Sequence, residues 1–119
     1  MTMINPGVSN TTLEIGSTLN ILYVWSDSAG VPRNLTGWTA QAMARAQMDA
    51  PVPFMNLTTE NGGIELGGSA GTIRLLCDNT KTAKFPSVNG VWDLKLTDNT
   101  GNVYFLLYGN FVTYKRATR

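Results

Sequence analysis

The chain has 119 residues, enough for one hydrophobic core, and a net charge of +1. A net charge this close to zero gives no strongly positive electrostatic potential for binding nucleic acid. Charged residues make up 14% of the chain, against roughly 25% in typical soluble domains. Burying hydroxyls and amides costs less than burying Lys or Glu. The composition therefore favours a protein whose surface is covered by neighbours, although small β domains with polar loops share it.

The first ten residues carry Pro6, Gly7 and Ser9, and we expect residues 1–10 to form a flexible arm before a single domain over 11–119. They have neither the basic nor the apolar region of a signal peptide. No apolar stretch reaches the roughly 20 residues that cross a bilayer, so we expect no membrane partner. The single Cys77 cannot form an internal disulfide and is predicted to be a buried, inert thiol.

Short runs of alternating apolar and polar residues, separated by turn residues, are typical of a sandwich or barrel. Residues 38–45 could also form a helix, because Ala, Gln, Met and Arg favour one. A strand is preferred, because Trp38-Thr39 begins a helix badly and the preceding strand needs a partner. One helical turn is predicted over 78–85, with Asp78 as its N-cap. The predicted strands cover 11–15, 18–25, 38–45, 50–58, 71–78, 91–97 and 102–115.

About seven strands at this spacing predict an all-β, immunoglobulin-like, two-sheet antiparallel sandwich. Pro51 and Pro53 restrict the segment 50–58 to an edge strand or an irregular strand. Asn61-Gly-Gly63 predicts a hairpin, and Gly109 a bulge in the last strand. The three tryptophans, Trp25, Trp38 and Trp92, fall on faces predicted to point into the core.

The residues give little support for catalysis. The chain has no histidine, which removes the commonest general base and metal ligand and every Ser-His or Cys-His pair. Asp27, Asp78 and Asp98 stand at predicted turns, where an Asp side chain bonds its own backbone. We therefore predict a protein that is not an enzyme, with no catalytic, cofactor-binding or metal-binding residues and no small-molecule substrate.

Strict alternation along the last strand predicts an apolar face that the core cannot use. It points Phe105, Leu107, Phe111 and Thr113 inward, and Tyr104, Leu106, Tyr108 and Tyr114 outward. Tyrosine is enriched at interface cores, and this much exposed apolar surface is unusual for a monomer. An alternative is that a hairpin over 56–66 folds across this face. The candidate interface residues are Leu22, Val24, Met43, Tyr104, Leu106 and Tyr108.

Several segments together match a pattern found in phage proteins. They are Gly16-Ser-Thr-Leu-Asn-Ile, Asp27-Ser-Ala-Gly-Val-Pro, the run from Asn34-Leu-Thr-Gly to Arg45, and Val91-Trp-Asp-Leu-Lys-Leu-Thr-Asp. The chain after residue 11 resembles small tail- or baseplate-associated virion proteins and the N-terminal domain of upper baseplate proteins. It departs from that pattern at residues 1–10, and at Asn34, where such proteins more often carry Asp.

The resemblance implies a phage virion structural protein of immunoglobulin-like fold, assembled in the host cytoplasm and located in the virion. We expect it to dock other virion proteins at the tail, baseplate or fibre-attachment region and to form a homo-oligomer or ring. Two alternatives stay open, a capsid head decoration protein and a glycan-binding module. The glycan-binding module would need a Trp or Tyr in a loop, whereas the tryptophans are predicted to lie in strands.

Overall fold

The computed structural model describes residues 2–4 and 7–118. Within them α1 (Asn79–Thr82) is the one α-helical turn, beside a short 3-10 turn at Gly68–Ala70. No helix in this described part is long and apolar enough to cross a membrane. The strands are β1 (Thr2–Ile4), β2 (Gly7–Val8), β3 (Thr11–Glu14), β4 (Leu19–Trp25), β5 (Thr39–Arg45), β6 (Met55–Thr58), β7 (Ile64–Leu66), β8 (Thr72–Cys77), β9 (Asn89–Thr97) and β10 (Val103–Tyr114).

The strands form two sheets packed face to face. Sheet A has the order β1-β4-β8-β7, and sheet B the order β2-β10-β9-β5-β6, with β3 also paired to β10. The chain passes between the sheets after β1, β3, β4, β6 and β8. These crossings and strand orders are those of an immunoglobulin-like sandwich, which confirms the predicted fold class. The pairs among β4 to β10 are antiparallel, whereas β1, β2 and β3 join their partners in parallel.

Alternation explains how each sheet supplies one face to the core. In β5 the small residues Ala40, Ala42 and Ala44 are buried. The neighbouring strand β9 lies between β5 and β10 and contributes the buried Trp92. Residues 38–45 therefore contain the predicted strand and not a helix. The core takes large side chains from both sheets, chiefly Leu19, Tyr23, Ile73, Leu75, Trp92, Leu94, Leu96 and Phe111.

The turn aspartates bond the backbone as predicted. The Asp98 carboxylate accepts hydrogen bonds from the backbone N–H groups of Thr100 and Asn102, each at 2.9 Å. Asp78 caps α1 by accepting from the Lys81 N–H at 3.0 Å, which confirms the predicted helical turn. The Thr80 hydroxyl also donates to Asp78, at 2.6 Å, and this bond together with that from Lys81 lowers the pKa of the Asp78 carboxyl. Partial desolvation raises the pKa of the Asp98 carboxyl, but the hydrogen bonds from Asn102 and Thr100 together bring it below the ordinary value. Both carboxylates thus hold turns together.

The N-terminal residues differ from the predicted arm. The backbone of Thr2–Ile4 pairs with β4, and that of Gly7–Val8 pairs with β10. The Ser9 carbonyl oxygen accepts a hydrogen bond from the Trp92 indole at 2.8 Å. The described part of the segment thus belongs to both sheets and is not an unpaired arm. Met1, Asn5 and Pro6, on which the same prediction falls, lie outside the described residues.

The edge of sheet B at β6 is occupied by one side chain. Asn61 Oδ1 accepts from the Thr58 N–H at 2.9 Å, and Asn61 Nδ2 donates to the Asn56 carbonyl at 3.0 Å. Asn61 thereby takes the bonds that another strand would make. The predicted hairpin at 61–63 is wrong, because β6 pairs with β5 and β7 pairs with β8, so this turn crosses between the sheets.

Candidate functional site

A β-bulge in β10 decides which side chains face outward from sheet B. Phe105 is opposite Lys95 and Leu107 is opposite Leu94, so Leu106 is an extra residue on β10. Side chains three positions apart normally point to opposite faces of a strand, and the extra residue cancels that alternation. Phe105 and Tyr108 therefore share the outer face of sheet B, where they are 64% and 56% exposed.

The bulge overturns three assignments made from alternation. Phe105 points outward and not into the core. Leu106 is 1% exposed and belongs to the core, so it cannot contribute to an outer surface. Tyr104 lies opposite Leu96, which points inward, and its ring stacks on Trp38 with centroids 5.5 Å apart. The outward position of Tyr108 is confirmed.

Two other candidate residues lie on the opposite side of the sandwich. Leu22 and Val24 belong to β4 in sheet A, whereas Met43 and Tyr108 belong to sheet B. The six residues therefore do not form one surface. Val24 is also only 4% exposed. Met43 and Tyr108 do come together, since each is the cross-strand partner of Asp93.

The alternative prediction, in which a hairpin over 56–66 folds across this face, is wrong. The segment 56–66 does not fold over sheet B, because β6 extends the edge of sheet B and β7 joins sheet A. Within residues 2–4 and 7–118, no second layer of this chain covers Phe105 and Tyr108. The outer face of sheet B is thus an aromatic surface open to solvent.

The centre of this face is a shallow groove of about 640 Å³. Apolar side chains form much of its wall, including Met48, which is 77% exposed in the loop after β5. Arg45 is held at one end, where its guanidinium donates to the Ala50 carbonyl at 2.8 Å. The side chains that line the groove from the outer face are Val8, Asn10, Gln41, Met43, Arg45, Met48, Val91, Asp93, Lys95, Phe105, Tyr108 and Asn110.

Asp93 lies on the floor of the groove, half-buried between Met43 and Tyr108. No hydrogen bond or ion pair joins its carboxylate to the residues that the structure describes. Burial raises the pKa of the Asp93 carboxyl above its ordinary value, and the charges of Lys95 and Arg45 offset part of that rise. The Asp93 carboxylate is partly open to solvent, and it is therefore a negative group available to a ligand.

Replacing Asp93 by asparagine is expected to stabilise the monomer at pH 7. A raised native pKa means that the native state binds the proton more tightly than the unfolded chain does. The free energy of unfolding then falls as the pH rises from the pKa of an unfolded Asp, about 3.9, through the pKa of Asp93 in the native state. At higher pH it stays at the lower level. The urea midpoint of Asp93→Asn, measured in dilute protein, should exceed that of the wild type at pH 7. The gain should vanish below about pH 3.9; a gain independent of pH would contradict this assignment.

The groove contains residues that sequence reasoning did not single out. Phe105 was assigned to the core, and Val8, Met48 and Asp93 were given no role. The run Val103-Tyr-Phe-Leu-Leu-Tyr108 has six consecutive apolar or aromatic residues, so alternation cannot assign its faces. That run was the available signal for an irregular strand.

The described residues hold no group of three or more Cys, Asp or Glu side chains that could bind a metal ion. The tryptophans do not provide an exposed sugar-stacking platform, since Trp25 and Trp92 are buried and Trp38 packs against Tyr104. The arrangement offers an exposed aromatic surface for contact.

No family model matches the chain, and no curated protein matches it. Among solved structures, extracellular domains 3–5 of Drosophila OTK are similar to it, with a TM-score of 0.39 and 12% sequence identity. The similarity covers 92% of this chain and 34% of that one, so the chain spans about a third of that structure's length. A likeness of this size supports no conclusion about function.

Proposed function

We propose that the chain is a non-catalytic structural protein of a phage virion. In this proposal it docks other virion proteins at the tail, baseplate or fibre-attachment region through the outer face of sheet B. The observation that carries the docking role is the pair Phe105 and Tyr108, which the bulge places side by side in solvent. Bulges are over-represented beside functional sites, where they re-aim side chains.

The surrounding residues support a protein partner. Val8, Met43 and Met48 add apolar area around the aromatic pair, and methionine adapts its shape to a partner surface. Tyrosine and phenylalanine are enriched at interface cores. The location in a virion rests on the resemblance to tail- and baseplate-associated proteins, and the low charge of the chain agrees with a subunit enclosed by neighbours.

Replacing Tyr108 by aspartate is expected to prevent incorporation into particles without unfolding the subunit. The ring is 56% exposed in the subunit, so the variant should keep its unfolding midpoint. In an interface the new carboxylate would be buried without a partner, which costs several kcal/mol. The measurement is quantitative mass spectrometry of purified particles of a phage that encodes this chain, compared with the soluble fraction of the lysate.

The matched control is Val31→Asp, because Val31 is similarly exposed, at 57%, and lies in the loop between β4 and β5 and not on the outer face of sheet B. It should be incorporated normally. Equal incorporation of both variants would show that docking does not use this face. Absence of the wild-type chain from particles would refute the virion assignment. A copy number close to that of the capsid protein would replace the tail location with head decoration.

A further inference from the structure

The outer face of sheet B carries charge and aromatic groups in two adjacent rows across the strands. The Lys95 row consists of Gln41, Lys95 and Phe105, which are cross-strand partners. The Asp93 row consists of Met43, Asp93 and Tyr108, joined in the same way. The rows lie two residues apart along β9, which is roughly 6.7 Å.

We infer that this face binds a second copy of the chain, packed face to face about a two-fold axis. The axis lies in the plane of the interface, perpendicular to the strands, and passes midway between the two rows. It brings the Lys95 row of each copy opposite the Asp93 row of the other. This inference names one partner for the proposed docking surface and rests on that proposal.

Two kinds of complementarity arise from the same axis. Asp93 of each copy faces Lys95 of the other, so both carboxylates that lack a bonding partner in the subunit gain an ammonium group. Phe105 of each copy faces Tyr108 of the other, which forms two aromatic pairs. Such reciprocal contacts define an isologous interface, and aromatic side chains are the residues most often found at its energetic centre.

The charges also exclude the other simple packing. A two-fold axis parallel to the strands would place Asp93 against Asp93 and Lys95 against Lys95, and like charges opposed in this way repel. Arg45 lies one row beyond Asp93, where it is opposite Val91. The perpendicular axis brings Arg45 near Thr39 of the other copy, so it meets no charge of its own sign.

The bulge is what makes the surface self-complementary. Without the extra residue Leu106, Phe105 and Tyr108 would point to opposite faces, and only one of them could reach a partner. With the extra residue, Phe105 lies in the Lys95 row and Tyr108 lies in the Asp93 row, and both rings are on the same face. Face-to-face sheets pack about 10 Å apart with side chains interdigitated, a spacing that both the ion pairs and the ring pairs can span.

The test uses two charge reversals in the full-length chain, Asp93→Lys and Lys95→Asp, with sedimentation velocity over a concentration series. The wild type should be a dimer. Each variant alone places two like-charged pairs at the interface and should bind itself at least about tenfold more weakly. An equimolar mixture of the two variants restores opposite charges at both contacts, so it should form a heterodimer. The double variant, with the charges exchanged, should dimerise again.

Far-ultraviolet circular dichroism of each variant ensures that a loss of dimer is not a loss of fold. A wild type that stays monomeric at every concentration would overturn the inference. Single variants that dimerise like the wild type, or a mixture of folded variants that stays monomeric, would also overturn it. If the dimer is absent but Tyr108→Asp still fails to enter particles, the proposed docking role stands and its partner is another virion protein.

Discussion

Replacing Trp92 by alanine is expected to lower the free energy of unfolding by about 3–5 kcal/mol. Trp92 is 4% exposed and packs edge-on against Phe111, with ring centroids 6.3 Å apart. Its neighbours across the sheet are Ala44 on β5 and Gly109 on β10. Because neither has a side chain long enough to fill the space, truncation leaves a cavity. Urea denaturation followed by circular dichroism measures the loss.

Trp92→Phe serves as the control, because it keeps an aromatic ring but loses the indole N–H that donates to the Ser9 carbonyl. It should cost clearly less than Trp92→Ala, since most of the buried apolar surface remains. Losing less than about 1 kcal/mol in Trp92→Ala would be inconsistent with a core residue of this size.

A methyl group at Gly109 is expected to displace the N-terminal strands. The Cβ of Gly109→Ala would overlap the Ser9 carbonyl group, with the carbonyl carbon only 2.8 Å away. The contact is backbone, so no side chain can rotate aside. The same Ser9 carbonyl accepts the hydrogen bond from the Trp92 indole. The next residue, Asn10, accepts a hydrogen bond from the Asn110 N–H through its side chain. The variant should lose about 1–3 kcal/mol, measured by urea denaturation.

A truncated chain that lacks residues 1–10 isolates the cause. Within the described residues the core begins at Leu13, so the truncated chain should still fold. Gly109→Ala should then cost almost nothing, because Ser9 is gone. An equal cost in the two backgrounds would mean that Gly109 is needed for another reason, such as the twist of β10.

The sequence predicted the regular parts of the fold closely. β4, β8 and β9 fall within two residues of the predicted strands, because each has one buried and one solvated face and so a clear alternation. The predicted edge strand at 50–58 contains β6, and Asp78 caps a helical turn as expected. These features depend on local chemistry that neighbouring residues determine.

The candidate site could be predicted only in part, because it depends on pairings between distant segments. Leu22 and Tyr108 both point outward, but alternation does not reveal that β4 and β10 belong to different sheets. The extra residue at Leu106 is set by its register with β9, and no residue type marks it. Gly109 was predicted to mark a bulge, but it pairs regularly with Trp92. What Gly109 permits is the close approach of the Ser9 backbone, which belongs to the opposite end of the chain and leaves no signal in the pattern of the last strand.

Asn61 restricts how copies of this protein can associate. An exposed sheet edge offers unpaired N–H and C=O groups that invite another strand, which is a common route to aggregation. Asn61 occupies such groups on β6, at Thr58 and Asn56, so the sheet does not grow from there into an open-ended fibre. In the proposed role as an assembly subunit, the chain would then meet its neighbours through side chains on its faces, where the arrangement of charges and rings can discriminate between partners.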